Sequence, residues 1–227
     1  MWLQEMPRRQ ARMLRGAAAR HPAAAADVDY PDWYFKRWHF LPEGYLSERS
    51  VAWYDRVIRR VYWAGDEGQA VRVLARWLER SGARRVLETA PGPGRLLAAL
   101  RQRLPQVEFR GVELSPYFVA ASRRRLGEGA VVHGDARELS KVAGVFDAVI
   151  GAHYVGHVPP GERGRAFAAM ATAARPGGLV ITVEHRWHRW PAAEGLRLAG
   201  RRGLGFSEIR CYRRTAGKGG SHDDAGS

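Results

Sequence analysis

Cysteine is almost missing from this 227-residue chain: Cys211 stands alone, which excludes an internal disulfide and a cysteine-cluster metal site. Lysine is nearly as scarce, found only at positions 36, 141 and 218, so the formal charge of +14 rests on arginine. A GC-rich coding sequence produces that bias as readily as a nucleic-acid partner does, so the charge alone keeps RNA and anionic lipid open without selecting either. No apolar run reaches the roughly 18 residues that a membrane span needs, and the arginine-rich start lacks the apolar core of a signal peptide. The expectation is a reduced, cytoplasmic protein without stable membrane insertion. No internal repeat is present.

The residues that are present divide into a helical front, an alternating middle and a polar tail. Residues 2–20 read as a basic helix whose regular part begins at Pro7. Residues 30–46 (YPDWYFKRWHFLPEGYL) are dense in aromatics and broken by prolines. Ser47-Glu48 then opens a helix with Val51, Tyr54, Val57, Ile58 and Val61 inward, and a second helix runs over about 67–79, with Val71, Leu74, Ala75 and Leu78 inward and Gly82 at its end. From Arg85 strands and helices alternate: strands at 85–89, 107–112, 130–133, 146–152, 178–184 and 205–212, and helices near 95–104, 116–126, 161–174 and 191–201. The fold class expected is α/β, a Rossmann-like, mostly parallel sheet with helices on both faces and a helical N-terminal extension. The tail from Thr215 has nothing to bury and reads as disordered.

The stretch ETAPGPGR (88–95) leaves the first of these strands through a Pro-Gly-Pro-Gly turn. A phosphate-binding P-loop needs lysine and then serine or threonine after its last glycine, but Arg95-Leu96 comes next here. A dinucleotide fingerprint begun at Gly92 and Gly94 needs a third glycine where Leu97 stands. The remaining reading is a turn that lets backbone amides approach a ligand, with Glu88 before it. A carboxylate there suits a cationic ligand better than a pyrophosphate.

About residues 67–212 resemble the class I S-adenosylmethionine-dependent methyltransferases, through several motifs in order. VLETAPGPGR (86–95) is similar to the family's first motif, with Ala90 where the first glycine is commonest. GVELS (111–115) places Glu113 and Leu114 where the family's acidic residue holds the ribose hydroxyls. In HGDARELS (133–140), Asp135 corresponds to the aspartate that binds the adenine amino group, with Ala136 beside the ring. FDAVIGAHYVGHV (146–158) resembles the fourth strand and its substrate-facing exit, and RPGGLVITVEH (175–185) the turn into the fifth. The resemblance implies S-adenosyl-L-methionine as cofactor, with Glu88, Ala90, Gly92, Gly94, Glu113, Leu114, Asp135, Ala136 and Gly151 around it. It also implies three regions: 1–65 as a cover of the site, 66–214 as the cofactor-binding domain and 215–227 as the tail. The chemistry agrees, because a carboxylate can accept from both hydroxyls of a ribose diol at once. Bland alternatives stay open: Glu113 as a solvated strand end, Asp135 as the cap of the next turn, Glu88 paired with Arg85 or Arg95.

The segment after the fourth strand narrows the acceptor. Gly151-Ala152-His153-Tyr154 stands where base-amino methyltransferases carry Asn/Asp-Pro-Pro-aromatic, Cys211 lies in the last strand, and lysines for a ribose-hydroxyl tetrad are missing. Small-molecule enzymes of the family often have an apolar run ending in histidine here, as in Tyr154–Val158 with His157. The expectation is therefore methyl transfer to a small-molecule acceptor, with an RNA methyltransferase as second reading and an inactive scaffold as third. Trp33, Tyr34, Phe35, Trp38, His39 and Phe40 could form the cover, stack RNA bases, or simply pack the extension. His153, His157 and His185, with Glu184 and His188 near them, are the candidates for a general base, for orienting the acceptor or for structural roles. Arg186 and Arg189 oppose a metal cation there and would suit an acidic acceptor. The family usually ends in two antiparallel strands, and only 205–212 reads as one, so the other is expected to be absent or supplied by a partner.

Overall fold

The computed structural model describes residues 5–36, 41–58, 60, 63, 66–142, 144–188 and 194–215. Chain order gives helix α1 (Arg8–Ala19), a 3-10 turn at Asp32–Phe35, the short strand β1 (Pro42–Tyr45), α2 (Glu48–Trp53) and α3 (Glu67–Ser81). The alternating part comes next: β2 (Arg85–Thr89), α4 (Arg95–Arg103), β3 (Glu108–Glu113), α5 (Pro116–Leu126), β4 (Val131–His133), β5 (Phe146–Ala152), α6 (Arg163–Ala173), β6 (Ala174–His185), β7 (Leu196–Leu204) and β8 (Ser207–Arg214). Seven strands form one sheet in the order β4-β3-β2-β5-β6-β8-β7. β4 to β6 along that order run parallel, while β8 is antiparallel to both β6 and β7.

Alternation along the strands divides the core. Val86, Ala148, Ile150, Ile181 and Val183 pack with Leu74 and Leu78 of α3 and Leu97 and Leu100 of α4. Their neighbours Leu87, Val149 and Val180 face the opposite way, onto Ala166, Phe167 and Met170 of α6. Ser115 caps α5 by accepting from the Phe118 amide, with Pro116 in the first helical turn, and Gly82 ends α3 in a left-handed conformation at φ 67°. Among the described residues no helix is long and apolar enough to cross a membrane.

Two sequence expectations are corrected at the C-terminus. The helix expected at 191–201 is, in its described part, the strand β7, and β7 with β8 forms the terminal antiparallel pair, so the second strand comes from the chain itself. Two causes are visible. The Trp77 ring lies 3.4 Å from where a Cβ on Gly200 would stand, which fixes the strand against α3. Gly205, at φ 47°, opens the two-residue turn joining Leu204 to Ser207. β6 is also longer than expected, because it starts at Ala174, before the Pro-Gly-Gly turn residues.

The N-terminal extension packs Ala18, Tyr30, Tyr34, Phe35 and Leu46 onto Leu114. Polar anchors fix it: Ser115 Oγ donates to the Tyr45 carbonyl at 2.5 Å, and the Ala25 amide donates to His133 Nδ1 at 2.8 Å. His133 Nε2 lies 2.9 Å from the Leu114 carbonyl and so carries the proton. Protonating Nδ1 would break the Ala25 bond, and burial already lowers this pKa. With a folded pKa below the ordinary 6.5, the anchor is at full strength above pH 6.5 and weakens as pH falls toward the lowered value. Hydrogen exchange at the Ala25 amide, corrected for intrinsic rate, should accordingly quicken by up to tenfold per pH unit in that window. An unchanged corrected rate would remove His133 as the anchor. Trp38, His39, Phe40, Val61 and the tail from 216 lie outside the described residues, as do the side chains of Val57 and Ile58.

Candidate functional site

β2 ends at Thr89, and the chain turns at the carboxyl edge of the sheet through Ala90, Gly92 and Gly94, with φ of 51°, 55° and 74°. Left-handed backbone is what glycine supplies cheaply, and alanine at position 90 adopts it at a cost of roughly 1–2 kcal/mol. The turn is tied down by Ala90 N donating to the Val112 carbonyl at 2.8 Å and Ser122 Oγ donating to the Gly92 carbonyl at 2.6 Å. Gly94 serves packing: a Cβ there would stand 2.9 Å from Leu126 and 3.1 Å from Ser122 Oγ, so α5 sits against the start of α4.

Glu113, at the end of β3, organises the turn. Its Oε2 accepts from the Gly92 amide at 3.0 Å and its Oε1 from the Ser115 amide at 2.9 Å. Burial raises its pKa, against the pull of those amides and of a hydrogen bond from the Tyr34 side chain. The solvated-strand-end alternative fails, because Glu113 is 5% exposed. Glu88 is buried too, its Oε2 has no hydrogen-bond partner, and burial together with Glu113 pushes its pKa up to about 8. It pairs with neither arginine: Arg85 goes to Glu108 at 3.3 Å, and Arg95 to Asp55 at 3.4 Å and Glu67 at 3.6 Å.

A cavity of about 100 Å³ lies over this turn. Ala90, Gly92, Glu113, Leu114, Asp135, Ala136, His153 and His157 all line it. So do aromatic rings from five separate segments: Trp33 and Tyr34, Tyr45, Tyr54, Phe118 and Tyr154. A smaller adjoining cavity holds Glu88 and shares Tyr54, Ala90, Ala152 and His153 with the first. Gly94, Gly151 and His185 line neither. Gly151 is instead needed under α6, where a Cβ would stand 2.9 Å from Met170 Cε and 3.1 Å from Thr89 Oγ1.

Asp135 caps the turn that follows it and also borders the cavity. Its Oδ1 accepts from the Arg137 amide at 2.8 Å. The Arg137 guanidinium also grips its carboxylate, with Nη2 at 2.5 Å, and reaches Glu162 at 2.8 Å. The same guanidinium lies 5.4 Å from the centre of the Trp33 ring, linking cover and site. Arg137, Tyr45 and Phe118 are site residues that the sequence motifs did not single out; the capping Ser115 before Phe118 was the one local signal available.

The histidines divide. His153 lies in left-handed backbone at φ 52°; it and Ala90 are the two non-glycine residues with positive φ among those described, and both face the cavity. Its ring is 4.8 Å from that of His185 and 4.9 Å from Trp63. His185 is buried, and burial first and His188 second press its pKa down to about 4. His188 Nδ1 stands 3.5 Å from the buried Glu184 carboxylate. His157 closes the turn from Tyr154, its amide donating to the Tyr154 carbonyl at 3.0 Å; the next 3-10 turn starts at Pro160, so His157 opens no helix. Arg186 is occupied by the Ser207 carbonyl at 3.3 Å, and Arg189 lies outside the described residues. Among the described residues no group of three or more His, Cys, Asp or Glu side chains is placed to hold a metal ion.

Residues 86–178 match the family described as "Methyltransferase domain". A demethylmenaquinone methyltransferase of Beutenbergia cavernae is 34% identical over 122 residues, 52% of this chain and 49% of that protein. One of Deinococcus radiodurans is 31% identical over 147 residues, 63% and 58% of the respective chains. The chain therefore spans about half the length of the curated relatives it matches. Among solved structures, an O-methyltransferase family protein of Burkholderia thailandensis superposes with a TM-score of 0.58 at 19% identity, covering 75% of this chain and 61% of that one. Magnesium protoporphyrin IX methyltransferase of Synechocystis PCC 6803 does so with 0.54 at 17%, covering 75% and 98%. At these identities the structures speak for the fold.

Proposed function

We propose that this chain, a member of the class I S-adenosylmethionine-dependent methyltransferase family, methylates a small, largely apolar acceptor. The observation that carries the reading is Glu113, a buried carboxylate held by the Gly92 and Ser115 amides beside the Pro-Gly-Pro-Gly turn. The residues fit S-adenosylmethionine: Glu113 can accept from the ribose hydroxyls, and Leu114 and Ala136 offer apolar flanks to the adenine. Asp135 borders the same cavity, its two oxygens held by Arg137, so an adenine amino group would have to share or displace one of those bonds. Glu88, buried with an unpartnered oxygen, suits the methionine ammonium.

When bound, this cofactor supplies a methyl group activated by the sulfonium. The protein's share is alignment, exclusion of water by the ring-lined cover, and a route for the acceptor's proton. His157 and His153 face the cavity and are the candidates to take it. His185, further back and hard to protonate, supports His153. The aromatic lining favours an apolar acceptor, and demethylmenaquinone, named by both relatives, is the first to assay. On this reading residues 66–214 bind the cofactor and 1–65 cover it. A cavity of about 100 Å³ is smaller than the few hundred Å³ of ordinary ligand sites, so the cover must yield on binding.

Calorimetry tests the cofactor. S-adenosylmethionine and S-adenosylhomocysteine should bind one and the same site. Because the Glu88 pKa lies at about 8, this carboxyl is largely protonated at neutral pH, and an ammonium arriving beside it favours ionisation. Binding should then release a proton, and affinity should rise with pH up to about 8, by at most tenfold per unit. Runs in two buffers of different ionisation enthalpy read that proton. Folded protein that binds neither ligand would overturn the assignment.

A further inference from the structure

We propose that the groove between α3 and the edge strand β7 binds the phosphate backbone of a single-stranded nucleic acid, at a site separate from the methyl-transfer cavity. The groove encloses about 340 Å³ and is lined by Arg72, Arg76 and Arg80 on one wall, Arg201 and Arg202 on the other, with Trp77 between them. None of these residues lines either cavity at the turn.

The helix sets the arrangement. Arg72, Arg76 and Arg80 recur every fourth residue, so they stand in a row with about 6 Å of rise per step. The opposite face of α3, with Val71, Leu74, Ala75 and Leu78, is buried on the sheet. The antiparallel pairing of β7 with β8 then carries Arg201 and Arg202 to the facing wall.

What sets these arginines apart is that they gather around one concavity with almost no acidic compensation. Elsewhere Arg85, Arg95, Arg123, Arg165 and Arg175 each meet a carboxylate. Among the described residues no carboxylate lies within ion-pair distance of Arg72, Arg76, Arg80 or Arg202; Arg201 alone is paired, with Glu208 at 3.1 Å. Four uncompensated cations around one concavity repel one another, and a ligand bearing several anions in a line relieves that repulsion. Guanidinium groups are suited to phosphate oxygens, and the half-buried Trp77, packed over Gly200, offers a ring on which a base can lie. The groove is concave and its apolar lining is limited to Trp77 and Val73, which fits a strand better than a flat membrane.

The test uses the full chain and a fluorescent 12-nucleotide single-stranded RNA of mixed sequence, read by anisotropy between 50 and 200 mM salt. Three to five phosphate contacts predict a loss of affinity of roughly 20- to 130-fold over that range. The triple variant Arg72→Glu, Arg76→Glu, Arg80→Glu should bind at least tenfold more weakly with a shallower salt slope, while its melting temperature and its S-adenosylhomocysteine affinity stay put. Reversing Arg8, Arg9 and Arg12 on α1, an equal change of charge, should leave most of the binding. Equal losses in the two triple variants would mean that net charge alone attracts RNA and would overturn the groove. So would tripolyphosphate competing as well per phosphate as the RNA, which would point to a small anion. The proposal also fails if the α3 variant keeps RNA binding but loses binding to vesicles containing phosphatidylserine.

Discussion

Replacing Glu113 by alanine is expected to weaken S-adenosylhomocysteine binding by about 2–4 kcal/mol, or roughly thirty- to a thousandfold, because two charge-assisted hydrogen bonds to one diol disappear together. The same variant should lose stability, since the Gly92 and Ser115 amides give up their acceptor inside the protein. Calorimetry and urea unfolding separate the two effects. Glu113→Gln supplies the control: it keeps an acceptor for one amide but loses the charge, so it should fold better than the alanine variant while still binding weakly. An alanine variant that folds and binds like the parent would remove Glu113 from the ribose and leave it a purely structural clamp.

Replacing His157 by asparagine should lower turnover about a hundredfold with cofactor affinity nearly unchanged, once an acceptor is in hand. His157 lines the cavity on the loop that leaves β5 and so can meet the acceptor. His153→Asn should act on both turnover and stability, since asparagine tolerates the left-handed backbone at φ 52° but loses the ring contacts to Trp63 and His185. His185→Asn should act chiefly on stability, reaching turnover only through the ring contact with His153. A side chain whose pKa sits at about 4 is a poor proton acceptor at neutral pH, and it lines neither cavity. If all three variants keep parental kinetics, the cluster is structural and alignment alone drives transfer. A loss confined to apparent acceptor affinity would make His157 an orienting group.

Much of the fold is written locally. Strands 85–89 and 146–152 and the helix 116–126 fall where the runs Val-Leu-Glu-Thr and Ala-Val-Ile and the Ser-Pro start place them. β7 is different. Leu-Arg-Leu-Ala-Gly-Arg-Arg-Gly-Leu contains no β-branched residue and is rich in helix formers, so its propensity points the wrong way, and pairing with β8 overrides it. In the site, Glu113, Asp135 and the glycine turn were legible because each sits at a fixed offset from a strand end. The rings were legible only in part: the aromatic front segment offered Trp33 and Tyr34, whereas Tyr45, Tyr54 and Phe118 come from segments distant in sequence and meet over one turn only in the folded chain. Nor does any spacing foretell that Arg137 would hold Asp135, Glu162 and the Trp33 ring at once.

The strand order also fixes the sequence of events as the chain leaves the ribosome. β2, β3 and β4 emerge first and can pair, yet the second edge of β2 stays open until β5 has been made. At the other end β8 is threaded between β6 and β7, so β7 cannot join the sheet until the last strand has been synthesised. The arginine groove, which takes one wall from β7, is therefore completed only after the rest of this sheet. A chain stopped before Ser207 would have no β8 to carry β7, leaving β6 as a bare edge whose buried Val180, Ile181 and Val183 are open to pairing with another nascent chain.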